Sequence, residues 1–184
     1  MSGDHRTGTV GNLVDRAMDA VGGAIGTASA TTATSADAFV ENAAIGDRYE
    51  IEAGRIALAR SGSAQVRSAA AKMIVDHTAN SHHLLAALEM NETGGVAPPP
   101  QGVDTRREKM LKHLDEAPDH KFDTTYLSQQ VLAHEETVTL MREFAQAGDN
   151  PQLRSLAVSG LPVIERHLEH MKMLQKSATA GSNR

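Results

Sequence analysis

Hydrophobic residues recur at spacings of three and four along most of the chain, which is the pattern of amphipathic α-helices. Stretches rich in Gly, Ser, Pro and Asn interrupt this pattern and divide it into segments. The connection between the second and third long segments contains "VAPPPQGV", which cannot be helical, whereas the other connections between long segments are tight. The pattern predicts four long helices and a short one in the long connector, over residues 35–59, 64–90, 104–116, 123–146 and 151–176.

Two tight turns and one long connection are typical of a ferritin-like four-helix bundle. We therefore predict an all-α fold, with a ferritin-like bundle domain over residues 36–176 and the short helix inside the long connector between the second and third long helices. Ser35, Asp104 and Asp123 each precede a helical segment and are the predicted N-cap residues, because their side-chain oxygens can accept a hydrogen bond from the first turn.

The two ends of the chain are predicted to lie outside the bundle. Residues 1–35 are rich in Gly, Ala, Ser and Thr, a composition that buries too little apolar surface to fold alone, so we expect a flexible or partly helical extension. An amphipathic stretch over residues 10–21 could dock on a partner chain or a membrane surface, or it could be a frayed terminal helix. A homo-oligomer formed through this extension is one interpretation. Residues 177–184 are predicted to form a disordered tail.

Composition narrows the function classes. Aromatic residues make up only 3% of the chain, which favours helices over sheets, and a formal net charge of −5 provides no basic stripe for nucleic acid. The chain has no cysteine, so any metal must be bound by nitrogen and oxygen atoms. No apolar run reaches the roughly 20 residues of a transmembrane helix. The start "MSGDHRTGTVG" does not resemble a secretion signal, so we expect a cytoplasmic protein, or a periplasmic one if a leader has been removed.

Each long helix carries one polar residue on its otherwise apolar stripe. These residues are Glu50 in the first helix, His77 in the second, His134 in the third and His167 in the fourth. Burial of a polar side chain without a partner costs about 1–3 kcal/mol, so something in the core should satisfy each of them. Four such positions therefore predict a common polar site rather than four isolated exceptions.

The spacing along the chain places these four residues at similar depths. Antiparallel helices joined by a tight turn bring residues at equal distances from that turn to the same level. Glu50 and His77 are equidistant from the turn near Ser63, and His134 and His167 are equidistant from the turn near Asn150. Both pairs fall near the middle of their helices, so we expect the four side chains to converge.

One carboxylate and three imidazoles form a ligand set that suits zinc, or ferrous iron with open positions. The sequence therefore predicts one transition metal ion, zinc or alternatively iron, bound by Glu50, His77, His134 and His167. No Glu-x-x-His motif occurs, which argues against a di-iron centre. Further partners that could orient the imidazoles are Asp47, Asp76 and His170. We predict no catalytic residue. One alternative interpretation is a metal-free helical interaction protein whose core contains a polar layer, and another is an oxidoreductase whose iron has an open position, which would require Glu50 to swing away.

Several stretches resemble a bacterial family of unknown function whose members are ferritin-like four-helix proteins, often labelled as outer membrane proteins. The stretches are "FVENAAIGDRYEIEAGRIA", "MIVDH", "FDTTYL", "VLAHEETVTLM" and "LPVIERHLEHM", within residues 36–176. The residues that match the family's motifs are Glu50, Ile51, Asp76, His77, Phe122, Asp123, Tyr126, His134, Leu161, Pro162, His167 and Leu168. The resemblance implies the same bundle and the same four inward positions, and it implies no reaction. A role in stress tolerance is the physiological expectation.

Overall fold

The computed structural model describes residues 33–181, and within them the regular structure is entirely helical. No strand occurs in this part of the chain, which confirms the all-α prediction. The helices are α1 (Ala36–Arg60), α2 (Ala64–Leu88), α3 (Thr105–Asp115), α4 (Asp119–Ala147) and α5 (Pro151–Gly181), with one 3₁₀ turn at Asn91–Thr93. Across residues 33–181, no helix combines the length and apolarity that crossing a membrane would require.

Polar caps fix the beginnings of three helices. The side chains of Ser35, Ser63 and Asp104 accept hydrogen bonds from the first turns of α1, α2 and α3, so the predicted caps Ser35 and Asp104 are confirmed. The predicted cap Asp123 is wrong, because α4 begins one turn earlier, directly after Pro118. Asp123 instead accepts a 2.6 Å hydrogen bond from the hydroxyl of Ser61, which ties α4 to the turn between α1 and α2.

The four long helices lie side by side, and each packs mainly against two of the others. Helices α1 and α2 form one pair and α4 and α5 the other, while α1 also contacts α4 and α2 contacts α5. Phe39, near the start of α1, stacks on Phe144, near the end of α4, with 4.1 Å between ring centroids, so these helices are antiparallel. Because α1 is also antiparallel to α2, helices α2 and α4 run in the same direction.

The connector between α2 and α4 runs the length of the bundle, as two parallel helices require. Near its start, the backbone N–H of Ala97 donates a hydrogen bond to Asp37, at the beginning of α1. Near its end, the Arg60 guanidinium at the end of α1 donates to the carbonyls of Leu114 and Ala117. Helix α3 lies between these points and is held to α4 by a buried ion-pair network, in which Arg106 and Arg107 both contact Glu136.

Apolar side chains form two main clusters along the bundle axis. One contains the buried residues Tyr49, Met73, Leu127 and Met171, and the other contains Phe39, Leu84, Phe144 and Leu153. On α2, α4 and α5 the polar residues singled out above fall between the members of these two clusters. The apolar core is therefore divided by a polar layer near mid-helix, which is where the sequence places the candidate site.

The C-terminal segment differs from the prediction. Residues 177–184 were expected to be disordered, but α5 continues to Gly181. The hydroxyls of Ser177 and Thr179 bond to carbonyls one turn back, and Ala178 packs against the core, so this segment gains both helical and tertiary contacts. Residues 182–184 and 1–32 lie outside the described residues. The predicted extension, its amphipathic stretch and the oligomer expected through it therefore fall almost entirely in the part of the chain that is not described.

Candidate metal centre

Three histidines from three different helices meet in the polar layer. His77 of α2, His134 of α4 and His167 of α5 are each at most 3% exposed. One ligating atom from each residue lies within 4.8 Å of the other two, and the three ring centroids are 5.6–5.7 Å apart. Within residues 33–181 this is the sole group of three or more His, Asp or Glu side chains with such geometry.

Each of these imidazoles has one nitrogen without a hydrogen-bond partner. The unpartnered atoms are Nε2 of His77, Nε2 of His134 and Nδ1 of His167. A buried polar atom left unsatisfied costs about 1–3 kcal/mol, so three of them together make an expensive arrangement for a metal-free core. Nitrogen lone pairs of neutral imidazole are common ligands of transition metal ions, and an ion would satisfy all three atoms at once.

The other nitrogen of each ring is held by an oxygen atom. Nδ1 of His77 lies 2.7 Å from Oδ1 of Asp47, and Nε2 of His167 lies 2.7 Å from Oδ2 of Asp76. Nδ1 of His134 lies 2.8 Å from the backbone carbonyl of Gln130, one turn back on the same helix. An N–H that donates to such an oxygen leaves the opposite nitrogen unprotonated and fixes the orientation of the ring, as is usual for metal-binding histidines. All three rings are therefore oriented with their free nitrogens available.

Glu50 lies beside this group rather than in it. Its side chain is 2% exposed, and its Oε1 atom is 3.5 Å from Nδ1 of His134, the ring nitrogen that also faces the Gln130 carbonyl. The carboxylate is not among the atoms that lie within 4.8 Å of one another. Of the four predicted ligands, the structure therefore brings together His77, His134 and His167 and leaves Glu50 on the outer side of His134.

The histidines differ in their affinity for protons. Burial and, to a smaller extent, the charge of His77 lower the pKa of His134 to about 3. Burial, together with His134, also lowers the pKa of His167, to about 4. Burial pushes the pKa of His77 down as well, but the hydrogen bond and charge of Asp47 outweigh it and raise the pKa. At neutral pH His134 and His167 are thus in the neutral form that binds metal, and His77 is the ring that most readily holds a proton.

Three carboxylates surround the three imidazoles and differ in their environments. Burial raises the pKa of Glu50 to about 7, although the His77 charge opposes this shift. Neither oxygen of Glu50 accepts a hydrogen bond of ordinary length, although the nearby Gln130 side chain also opposes the rise in its pKa. With Asp47 and Asp76, the layer contains one carboxylate beside each imidazole. A bound divalent cation would compensate part of the negative charge of these carboxylates. Without a cation, a buried carboxylate tends to take up a proton instead.

Two of the three residues that were predicted to orient the imidazoles are found in contact with them. Asp47 and Asp76 hold imidazoles as predicted, whereas His170 is not among the hydrogen-bond partners of the three rings. The predicted site did not include Gln130, or Tyr126, which was named only as a motif residue. Both are fully buried beside Glu50: the Gln130 side chain opposes the rise in the pKa of Glu50, and the charge of Glu50 helps to raise the pKa of Tyr126. Their four-residue spacing before His134 was a usable signal, because residues 126, 130 and 134 share one helix face.

Comparison with known proteins finds a matching family model and a similar solved structure. A family model described as "Domain of unknown function (DUF4142)" matches residues 23–174. No curated protein sequence matches the chain significantly. A solved structure described as "CopM in the Cu(II)-bound form" is similar, with a TM-score of 0.64 and 16% identity, over 78% of this chain and 97% of that chain. At this identity the similarity concerns the fold.

Proposed function

We propose that this chain, which belongs to the family of domains of unknown function DUF4142, binds one transition metal ion through His77, His134 and His167. The observation that carries the proposal is the convergence of three buried imidazole nitrogens that have no other partner. The metal-free alternative, a polar layer that satisfies itself, is disfavoured because these three nitrogens have no hydrogen bond.

Copper(II) is the leading candidate for the ion. Three imidazoles bind copper(II) more strongly than zinc(II), according to the general order of affinities for divalent metals. The likeness to a protein whose structure contains bound Cu(II) supports the same choice. Zinc, the first expectation from the sequence, fits the same three nitrogens and is the second candidate. Iron sites of the open type use a carboxylate with two histidines, so iron would require Glu50 to move into the group.

We further propose that the bundle is ferritin-like in its connectivity but holds a mononuclear centre. This part of the proposal is supported by the long connector, which joins the parallel helices α2 and α4. Three protein ligands, rather than the four expected from the sequence, leave a coordination position for water or another small ligand. A centre with an open position suits an ion that binds and exchanges, whereas a structural ion is usually held by four protein ligands.

Titration of the full chain, purified without a histidine tag, tests this proposal. Copper(II) chloride and zinc chloride are titrated calorimetrically into the metal-free protein, in the presence of a competing chelator. We expect one tightly bound ion per chain, with copper(II) bound more strongly than zinc. The His134→Ala variant should bind the ion much more weakly, whereas His82→Ala, which removes an exposed histidine from α2, should bind it like the wild type. Equal binding by both variants would refute the proposed site.

A further inference from the structure

The three carboxylates of the polar layer differ in their access to solvent. The side chains of Glu50 and Asp47 are 2% and 10% exposed, whereas that of Asp76 is 22% exposed. Asp76 contacts His167 on its inner side through Oδ2. It is therefore the partner of the histidine centre that reaches furthest into solvent.

A lysine occupies the outer side of the same carboxylate. Nζ of Lys72 lies 2.7 Å from Oδ2 of Asp76, the oxygen that also contacts Nε2 of His167. The Lys72 side chain is 59% exposed and lies one helical turn before Asp76 on α2. From solvent towards the centre, the order is thus the exposed ammonium group of Lys72, the carboxylate of Asp76 and the imidazole of His167, whose other nitrogen is free.

We propose that Asp76 is the route by which a metal ion reaches the centre, and that Lys72 is a tethered cation that the incoming ion must displace. This inference rests on the proposed metal-binding function. A carboxylate at the surface attracts a divalent cation and can bind it transiently, and His167 is the ligand next to it. His77 and His134 are not alternative routes, because Asp47 and Gln130, which hold them, are almost fully buried.

Helix α5 has a local feature that suits this route. Pro162 lies inside α5, five residues before His167, and has no N–H to donate to the carbonyl of Val158. The helix lacks one backbone hydrogen bond at this point, so displacement of the segment that presents His167 meets less resistance there. The histidine beside the exposed carboxylate is thus on the helix that lacks this backbone hydrogen bond.

The rate of copper(II) uptake tests the role of Lys72. The chain contains two tyrosines, Tyr49 and Tyr126, and no tryptophan, and both tyrosines are buried in the bundle. Quenching of tyrosine fluorescence by copper(II) in a stopped-flow instrument therefore follows loading of the full chain. In the Lys72→Gln variant we expect loading to be about threefold to tenfold faster, because a like charge no longer competes for the carboxylate.

Lys172→Gln is the matched control. Lys172 forms a surface ion pair with Glu135 at 3.1 Å, between α4 and α5, so this variant also removes one positive charge and one ion pair. Its loading rate should equal that of the wild type. The Asp76→Asn variant should load more slowly than the wild type, and its rate should depend less on ionic strength, because the attracting charge is gone.

The outcomes separate the two proposals. Equilibrium dialysis of the wild type with copper(II) chloride, in the same buffer, counts the bound ions. If one ion binds but Lys72→Gln loads at the wild-type rate, or no faster than Lys172→Gln, the route through Asp76 is overturned and the metal site stands. If no ion binds to the wild type, the metal site itself fails, and the route fails with it.

Discussion

Asp47 and His77 lie on adjacent antiparallel helices, and the carboxylate of Asp47 accepts a 2.7 Å hydrogen bond from Nδ1 of His77 in the core. Both side chains are at least nine-tenths buried. This bond raises the pKa of His77 and leaves its Nε2 atom without a partner. In the proposed metal centre, Asp47 therefore orients the imidazole of His77 and makes it the ring that must release a proton when metal binds.

The Asp47→Asn variant should bind copper(II) roughly 10- to 100-fold more weakly than the wild type, the usual effect of removing a partner of a metal-binding histidine. The amide can still accept a hydrogen bond from His77, but it has no charge, so the fold is retained while the imidazole becomes a poorer ligand. Chelator competition measures the affinity. Glu41→Gln, which neutralises an exposed carboxylate on the same helix, should leave the affinity unchanged.

Metal binding should release protons near neutral pH. His134 and His167 have lowered pKa values and are already neutral there, so the raised pKa of His77 determines the competition between proton and metal. The affinity for copper(II) should therefore keep increasing as the pH rises above 6.5, the ordinary pKa of histidine. Calorimetric titrations in buffers with different ionisation enthalpies measure the protons released. A proton count of zero at pH 6.5 would show that His77 does not titrate as described.

Glu50→Gln should stabilise the metal-free protein at alkaline pH. The pKa of Glu50 is raised from 4.5 to about 7, so between these values the folded protein holds a proton that the unfolded chain has lost. The free energy of unfolding therefore falls as pH rises through this window, by about 3 kcal/mol.

The glutamine variant should lack this decrease, and its advantage over the wild type should grow between pH 5 and pH 8.5. Urea unfolding with a chelator present measures the difference. Glu52→Gln, in an exposed pair with Arg55, should show the same pH dependence as the wild type. A Glu50→Gln variant whose stability follows the wild-type pH curve would contradict the assigned pKa.

Glu136→Gln should loosen the connector without affecting metal binding. The buried carboxylate of Glu136 accepts bonds of 2.8 and 2.5 Å from Arg106 and one of 3.0 Å from Arg107. Removing one partner of a buried ion pair leaves uncompensated charge and costs about 3–5 kcal/mol. Urea unfolding and limited proteolysis of α3 report the loss. Glu165→Gln, which breaks an exposed pair with Arg142, should cost less than about 1 kcal/mol.

The depth of the site was predictable from the sequence, but its rotation around the bundle axis was not. Equal distances from a turn determine the level of a residue, and His77, His134 and His167 do meet. Level alone does not determine the direction in which a side chain points. Glu50 is at the predicted depth, yet it faces the outer side of His134, because the position of α1 against α4 directs it there.

The helices were predictable where the chain contains an explicit signal. Ser35 and Asp104 mark the starts of α1 and α3, and the structure agrees to within a residue. Asp123 misled the prediction because Asp is also common inside helices when it has a tertiary partner, here the Ser61 hydroxyl. The end of α5 was missed for a similar reason, since its last residues are small and polar and gain stability from packing that the local sequence does not reveal.

Pulsed electron paramagnetic resonance counts the imidazoles bound to copper(II) through the weak coupling of their remote nitrogens. The full chain, loaded with one equivalent of copper(II), should show three coordinated imidazoles. His167→Ala should show two, and His82→Ala should show three. A wild-type spectrum without coordinated imidazole would contradict the metal centre proposed for this bundle. The same imidazole count in the wild type and in the alanine variants of His77, His134 and His167 would contradict it as well.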